Sequence, residues 1–296
     1  MRNRIVHIAL PTLVALATLT GCKGGGPVDV VGIASGVGSA IHSASLSEKD
    51  EPILGQTIAI KATNTYGLYE DPKLTQYVTL VCWTVASASP RPDRHYTIGI
   101  LKPDNIVNAF SGPGGWVMLT HGLILQCRSE AELAGVLAHE VSHVSNQDGL
   151  KAVKQAGVLS GLSSAASSAA NHQAVVNMTS AAGSEILEKG YDKNQEFAAD
   201  ESAVTIMTAA GYDPHEYLNL LKRLETEQAA GGSSSGIMST HPGMPERVAR
   251  VQKQIDALGA KTNGLAVLQK RWVDYTGIKP PAAMILPTGQ TPLASK

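Results

Sequence analysis

The chain has 296 residues, of which 43% are hydrophobic, 17% charged and only 4% aromatic, and its formal charge is −1. That composition excludes a disordered chain and a strongly basic nucleic-acid-binding surface, so no nucleic-acid partner is expected. With 29 glycines and few aromatics the core has to be built from small and aliphatic side chains, and no long charged or proline-rich block divides the middle of the chain.

Arg2 and Arg4 precede a mainly apolar stretch from Ile8 to Leu19. Spanning a bilayer takes about 20 apolar residues, so this shorter run reads as the core of a signal peptide over residues 1–21. It leads into Leu19-Thr20-Gly21-Cys22, which resembles the lipobox of bacterial lipoproteins. The resemblance implies cleavage before Cys22, lipidation of its sulfur, and an acyl anchor worth about 0.8 kcal/mol per buried methylene. It also implies a location on the periplasmic side of the cell envelope. Lys23 stands where an Asp favours inner-membrane retention in enteric lipoproteins, which points to the outer membrane. Losing Arg2 and Arg4 takes the charge of the mature chain from −1 to −3, too little to draw in anionic lipid by electrostatics. Residues 22–50, rich in Gly, Ser, Ala and Val, read as a flexible tether. Two cysteines remain, Cys82 and Cys127; an oxidising compartment would allow a disulfide between them, and their apolar contexts suit free buried thiols equally well.

A folded domain is expected over 51–260, with an extension over 261–296 whose Pro-rich end is poorly ordered. From Asp71-Pro72 the spacing of Leu74, Tyr77, Val78, Val81 and Val85 predicts an amphipathic helix ending before Pro90. His95–Leu101 and Trp116–Leu119 read as strands of a short antiparallel hairpin, with turn glycines between them. Ser129-Glu130-Ala131-Glu132 matches a capping box, with Ser129 receiving the Glu132 amide and Glu132 reaching back to the cap, so a helix starts there and continues through Val144. Residues 157–184, dominated by Ala, Ser and Gly, suit either a helical hairpin or a mobile flap. Further helices are expected from about Asn194 to Ala210, from Pro214, and from Pro245, with a loop at Gly231–Gly236.

The chemistry sits at His139-Glu140-Val141-Ser142-His143. Histidines four apart share a helical face, so both imidazoles can reach one metal ion. Glu140, about 100° round the helix, can reach water at that ion without ligating it, the geometry of His-Glu-x-x-His zinc hydrolases. Catalytic zinc takes three protein ligands, so a third is needed. The metzincin extension would require Gly at 146 and His at 149, where the chain has Asn146 and Gly149. Glu196 and Asp200 share a later helical face, Glu196 as a candidate ligand and Asp200 as acceptor for the far nitrogen of a ligand histidine. Glu185, Glu188 and Glu201 compete for the third position on spacing alone.

Asn108-Ala109-Phe110 with Pro113-Gly114-Gly115, then Gly122-Leu123, the His139–His143 motif, Glu196–Asp200, and Ser239-Thr240-His241-Pro242 with Arg247 together resemble the M48 family of zinc metalloendopeptidases. The likeness covers about residues 50–257 and is closest to soluble-domain periplasmic and mitochondrial members. It implies an α+β, mainly α-helical, zincin-like domain of gluzincin type, with a small β-hairpin or sheet beside the active-site helix. It implies one Zn2+ per chain on His139, His143 and Glu196, with Glu140 as catalytic base. His241 and Arg247 are implied to lie beside the zinc, His241 stabilising the oxyanion or occluding the metal reversibly. Asn146, Gln147 and Asp148 depart from the Arg-His pair common in the family. Asn108, Ala109, Phe110, Gly114 and Gly115 are expected to bind an extended polypeptide substrate by strand addition. The expected function is hydrolysis of misfolded or unassembled envelope proteins; the alternatives are an envelope chaperone or assembly factor with latent protease activity and, less well supported, a purely structural zinc lipoprotein.

Overall fold

The computed structural model describes residues 46–159, 170–229 and 240–279. The expected signal peptide, Cys22, most of the expected tether, the expected Gly231–Gly236 loop and the Pro-rich end lie outside them. The first elements are α1 (Glu51–Tyr66) and α2 (Pro72–Ser87). Asp71 caps α2, accepting from the amides of Lys73 and Leu74. Strands β1 (Thr97–Leu101), β2 (Ala109–Gly112) and β3 (Trp116–Thr120) follow, with a 3-10 turn at Pro113–Gly115. Then come α3 (His121–Gln126), α4 (Glu130–Ser145), α5 (Asp148–Leu159), α6 (Ala170–Lys189), α7 (Lys193–Ala210), α8 (Pro214–Ala229), α9 (Met244–Leu258) and α10 (Gln269–Thr276). No described helix is long and apolar enough to cross a membrane.

The organising element is α4, in which every residue from Glu130 to Val144 is buried. A helix buried on all sides needs neighbours all round, and α2, α7, α8 and β2 pack against it. Ala131, Ala134, Gly135 and Ala138 keep its girth small enough for that. Ser129 caps it, accepting from the Glu132 amide at 3.2 Å. The return arm of the expected capping box differs: Glu132 accepts from the Arg128 amide at 2.7 Å, because its carboxylate is drawn to Arg223 at 2.6 Å.

The sheet also differs from the expected hairpin. Its order is β1-β3-β2, with β1 parallel to β3 and β2 antiparallel to it. The hairpin is β2–β3, and the segment from 102 to 115 carries the chain across so that β1 and β3 run the same way. The edge at β2 lies against α4, which brings sheet and motif together.

Four further regions add to or resolve the sequence expectation. The apolar spacing of the sequence does not predict helix α1, whose Leu54, Ile58, Ala59 and Ala62 are buried. At the end of the presumed tether, Leu46 is buried with Leu54, Leu150, Val153 and Ala182. Beyond 260, α10 places Trp272, fully buried, in the main core. The Ala/Ser-rich stretch forms the end of α5 and most of α6, which pack on one another; residues 160–169 lie outside the described set.

Candidate metal centre

The second half of α4 presents His139 and His143 one turn apart, their Nε2 atoms 3.1 Å from each other. From α7, Glu196 places Oε2 3.3 Å from His139 Nε2 and Oε1 3.3 Å from His143 Nε2. His241, just before α9, brings Nδ1 to 2.9 Å from Glu196 Oε2 and 3.3 Å from His139 Nε2. These four buried residues each offer a ligand atom, all within 4.8 Å of one another. Metal–ligand bonds of about 2.0–2.1 Å in a tetrahedron put ligand atoms about 3.3 Å apart, so the spacing suits one small divalent ion. Glu196 Oε1 and Glu140 Oε2 supply the independent test: both are buried without a hydrogen-bond partner. Buried carboxylate oxygens do not ordinarily go unpaired, and a cation would satisfy Glu196. The rival carboxylates Glu185, Glu188 and Glu201 are exposed, and Glu201 pairs with Arg250.

Both helix histidines are oriented from behind. His139 Nδ1 lies 3.0 Å from Asp200 Oδ1. Asp200 also takes Tyr217 Oη at 2.7 Å and Arg247 Nε and Nη2 at 2.7 and 2.8 Å. Burial would raise the Asp200 carboxyl; Arg247 and His139 outweigh it and hold the group far below the usual carboxylate range. Glu196 is held down in the same way by His241, Arg247 and His139 against its own burial. Arg247 therefore acts on the carboxylates, with Nη1 3.2 Å from Glu196 Oε2 and 3.3 Å from the His241 carbonyl. His143 Nδ1 meets Asp148 Oδ2 at 2.9 Å. Despite burial, Asp148 and Glu196 push His143 up to about 10, and an Asp148 carboxylate accepting from Nδ1–H favours the tautomer that leaves Nε2 open to a cation.

Sequence reasoning missed Asp148, Tyr217 and Tyr191. Asp148 appears in the sequence only as a departure from the family pattern, although it opens the helix directly after the motif. Tyr217 reaches His139 because α8 crosses α4 at Gly135, where a Cβ would stand 2.6 Å from the Tyr217 Cβ. The Tyr191 ring lies 4.4 Å from that of His143, and no local pattern marks it.

Of the five residues expected to bind substrate, one touches the centre and a second touches Thr240 beside it. The Ala109 carbonyl faces His241 Nε2 at 3.0 Å, and Asn108 Oδ1 accepts from the Thr240 hydroxyl at 2.9 Å. Phe110 is instead buried among Ile58, Leu101, Met118, Ile186 and Tyr191. Gly114 and Gly115 sit in the 3-10 turn, packed on Pro52 and His95, because the hairpin turn is tucked under α1. Cys82 and Cys127 are free, buried thiols rather than a bridge; each is enclosed by apolar neighbours of the core, and burial pushes both thiols up.

A buried His-Glu-x-x-His helix, a third carboxylate from a later helix and a small sheet alongside define a zincin-like metallopeptidase domain of gluzincin type. The chain belongs to peptidase family M48, whose family model matches residues 72–255. It is 30% identical to the beta-barrel assembly-enhancing protease of Yersinia pestis over 67% of this chain and 42% of that protein. For the beta-barrel assembly-enhancing protease of Escherichia coli K12 the figures are 26%, 69% and 43%. For mitochondrial metalloendopeptidase OMA1 of Schizosaccharomyces pombe they are 23%, 67% and 58%. The chain thus spans about half the length of these curated relatives.

Proposed function

We propose that this chain is a zinc-dependent endopeptidase of the bacterial envelope, anchored by a lipid at Cys22 on the periplasmic side, with the outer membrane favoured. The observation that carries the reading is a complete ligand set, His139, His143 and Glu196, beside a buried Glu140 whose Oε2 has no hydrogen-bond partner. When bound, zinc supplies Lewis-acid polarisation of a carbonyl and acidifies water. Glu140 takes a proton from the attacking water at Oε2 and returns it to the leaving nitrogen. Asp200 and Asp148 hold the two histidines in the tautomer that leaves Nε2 free, and β2 aligns the extended substrate. The relatives named for β-barrel assembly support misfolded or unassembled envelope proteins as substrates.

A second reading, an assembly factor with latent proteolysis, is favoured by His241, whose Nδ1 stands at the fourth corner of the ligand set. In that reading the same centre opens only on demand. Metal analysis of the mature chain, paired with casein digestion with and without chelator, tests the proposal. It requires about one zinc per chain and cleavage that chelator abolishes and zinc restores. Metal-free protein, or cleavage indifferent to chelator, would contradict it. For the anchor, Cys22→Ser is expected to move the protein from the membrane fraction to the soluble periplasm; unchanged fractionation would count against lipidation.

A further inference from the structure

The sheet edge beside the metal centre is occupied at the positions where an added strand would pair. Asn108 passes its carbonyl inward, to the Thr120 amide at 2.9 Å, and antiparallel alternation then turns Ala109 and Ser111 outward. Their carbonyls are the acceptors an extended peptide uses in strand addition. Ala109 faces His241 Nε2 at 3.0 Å, and the Ser111 carbonyl accepts from the Tyr191 hydroxyl at 2.8 Å. The centre itself is closed, since His139, Glu140, His143 and Glu196 are at most 3% exposed.

Tyr191 reaches this position through Gly190. That residue has φ +70°, and a Cβ on it would overlap the Thr240 carbonyl. Only glycine lets the turn before α7 seat directly on the Thr240–His241 segment. The Tyr191 ring is buried against His143, so the hydroxyl is held on the strand by packing as well as by its hydrogen bond.

Resting on the peptidase reading above, we infer that Tyr191 latches the substrate-pairing edge: its hydroxyl must leave the Ser111 carbonyl before an extended peptide can add to β2. The latch is separate from His241, which acts two residues earlier on the strand. Tyr191→Phe keeps the ring on His143 and removes only the hydroxyl, so the fold is retained and the hydrogen bond alone is tested.

The experiment uses the zinc-loaded full mature chain and a fluorescein-labelled β-casein peptide. Affinity is read by anisotropy in a Glu140→Gln background, with and without Tyr191→Phe, alongside zinc content and melting temperature. Loss of one neutral hydrogen bond predicts about three- to tenfold tighter peptide binding. In the cleaving enzyme, Tyr191→Phe is expected to lower KM by the same factor at unchanged kcat. Unchanged or weaker affinity, at normal zinc content and melting temperature, overturns the latch. A fall in kcat at unchanged affinity also overturns it, by assigning the hydroxyl to the chemistry. If the parent chain never cleaves but Tyr191→Phe still tightens binding, the peptidase reading fails and the latch stands; no binding by either variant overturns both.

Discussion

The two ends of α4 hold buried carboxylates in opposite states. At its start, Glu130 accepts from the hydroxyls of Tyr77 and Tyr212, each at 2.6 Å, and from Arg271 Nε at 2.5 Å and Nη2. Glu132 is likewise saturated by Arg223 Nη1 at 2.7 Å and Nη2 at 2.6 Å and by the Arg128 amide. At the other end, one oxygen of Glu140 and one of Glu196 have no hydrogen-bond partner, Glu196 Oε1 meeting only His143 Nε2 at 3.3 Å. Orphaned buried oxygens cost stability, so a fold that saturates one end of a helix and starves the other has placed its unmet demand where a cation and a reacting water belong. On the proposed reading the first end is scaffold and the second holds the chemistry.

That contrast breaks most sharply at Glu196. Glu196→Ala is expected to weaken zinc binding well beyond the ~10–100-fold typical of outer residues, read by competition with a chelator; normal zinc content would move the third ligand elsewhere. Glu130→Ala, at the scaffold end, is expected to cost about 1–3 kcal/mol by stranding the Tyr77 and Tyr212 hydroxyls, measured by denaturant unfolding, while the folded fraction keeps its zinc affinity. Arg271→Ala should cost a similar amount: the lost pair is screened because the Arg271 side chain is half-exposed, but the buried Glu130 carboxylate is left without its cation. Asp148→Asn and Asp200→Asn are each expected to weaken zinc binding about 10–100-fold without abolishing it.

A pH scan sharpens the same division. Burial would raise Glu130, but Arg271, Tyr212 and Tyr77 outweigh it and hold the carboxyl below its ordinary value. A depressed folded-state value means that this contribution is complete above the unfolded carboxyl's range, about 4.3, and is lost as pH falls through the folded value. Unfolding free energy should therefore drop on acidification below about pH 4.3, and Glu130→Gln should flatten that drop. Ser129→Ala is the smallest effect, about 1 kcal/mol from loss of the cap, seen as a lowered melting temperature.

What the sequence made legible was local. The pairs His139/His143 and Glu196/Asp200 each lie one helical turn apart, so spacing alone puts them on common faces; the Ser129 cap and the Gly211 stop of α7 are equally local. The parallel pairing of β1 with β3 was hidden, because β2 lies between them in the chain and only tertiary packing selects the partner. Helix α1 was hidden because its Gly55, Gln56 and Thr57 dilute the apolar period, although packing buries Leu54 and Ile58. Tyr217, 78 residues from His139, reaches it through a helix crossing at Gly135, which no spacing rule encodes. Phe110, Gly114 and Gly115 looked like binding residues because family motifs mix groups that touch substrate with groups that shape the turn behind it.

The central claim is that Glu140 is present for proton transfer and not for holding the fold or the metal. Glu140→Gln preserves the side chain's size and removes its basicity, so the account predicts stoichiometric zinc and an unchanged melting temperature with peptide cleavage lowered by about 10²–10⁴-fold. Full cleavage by that variant at normal zinc content would contradict it.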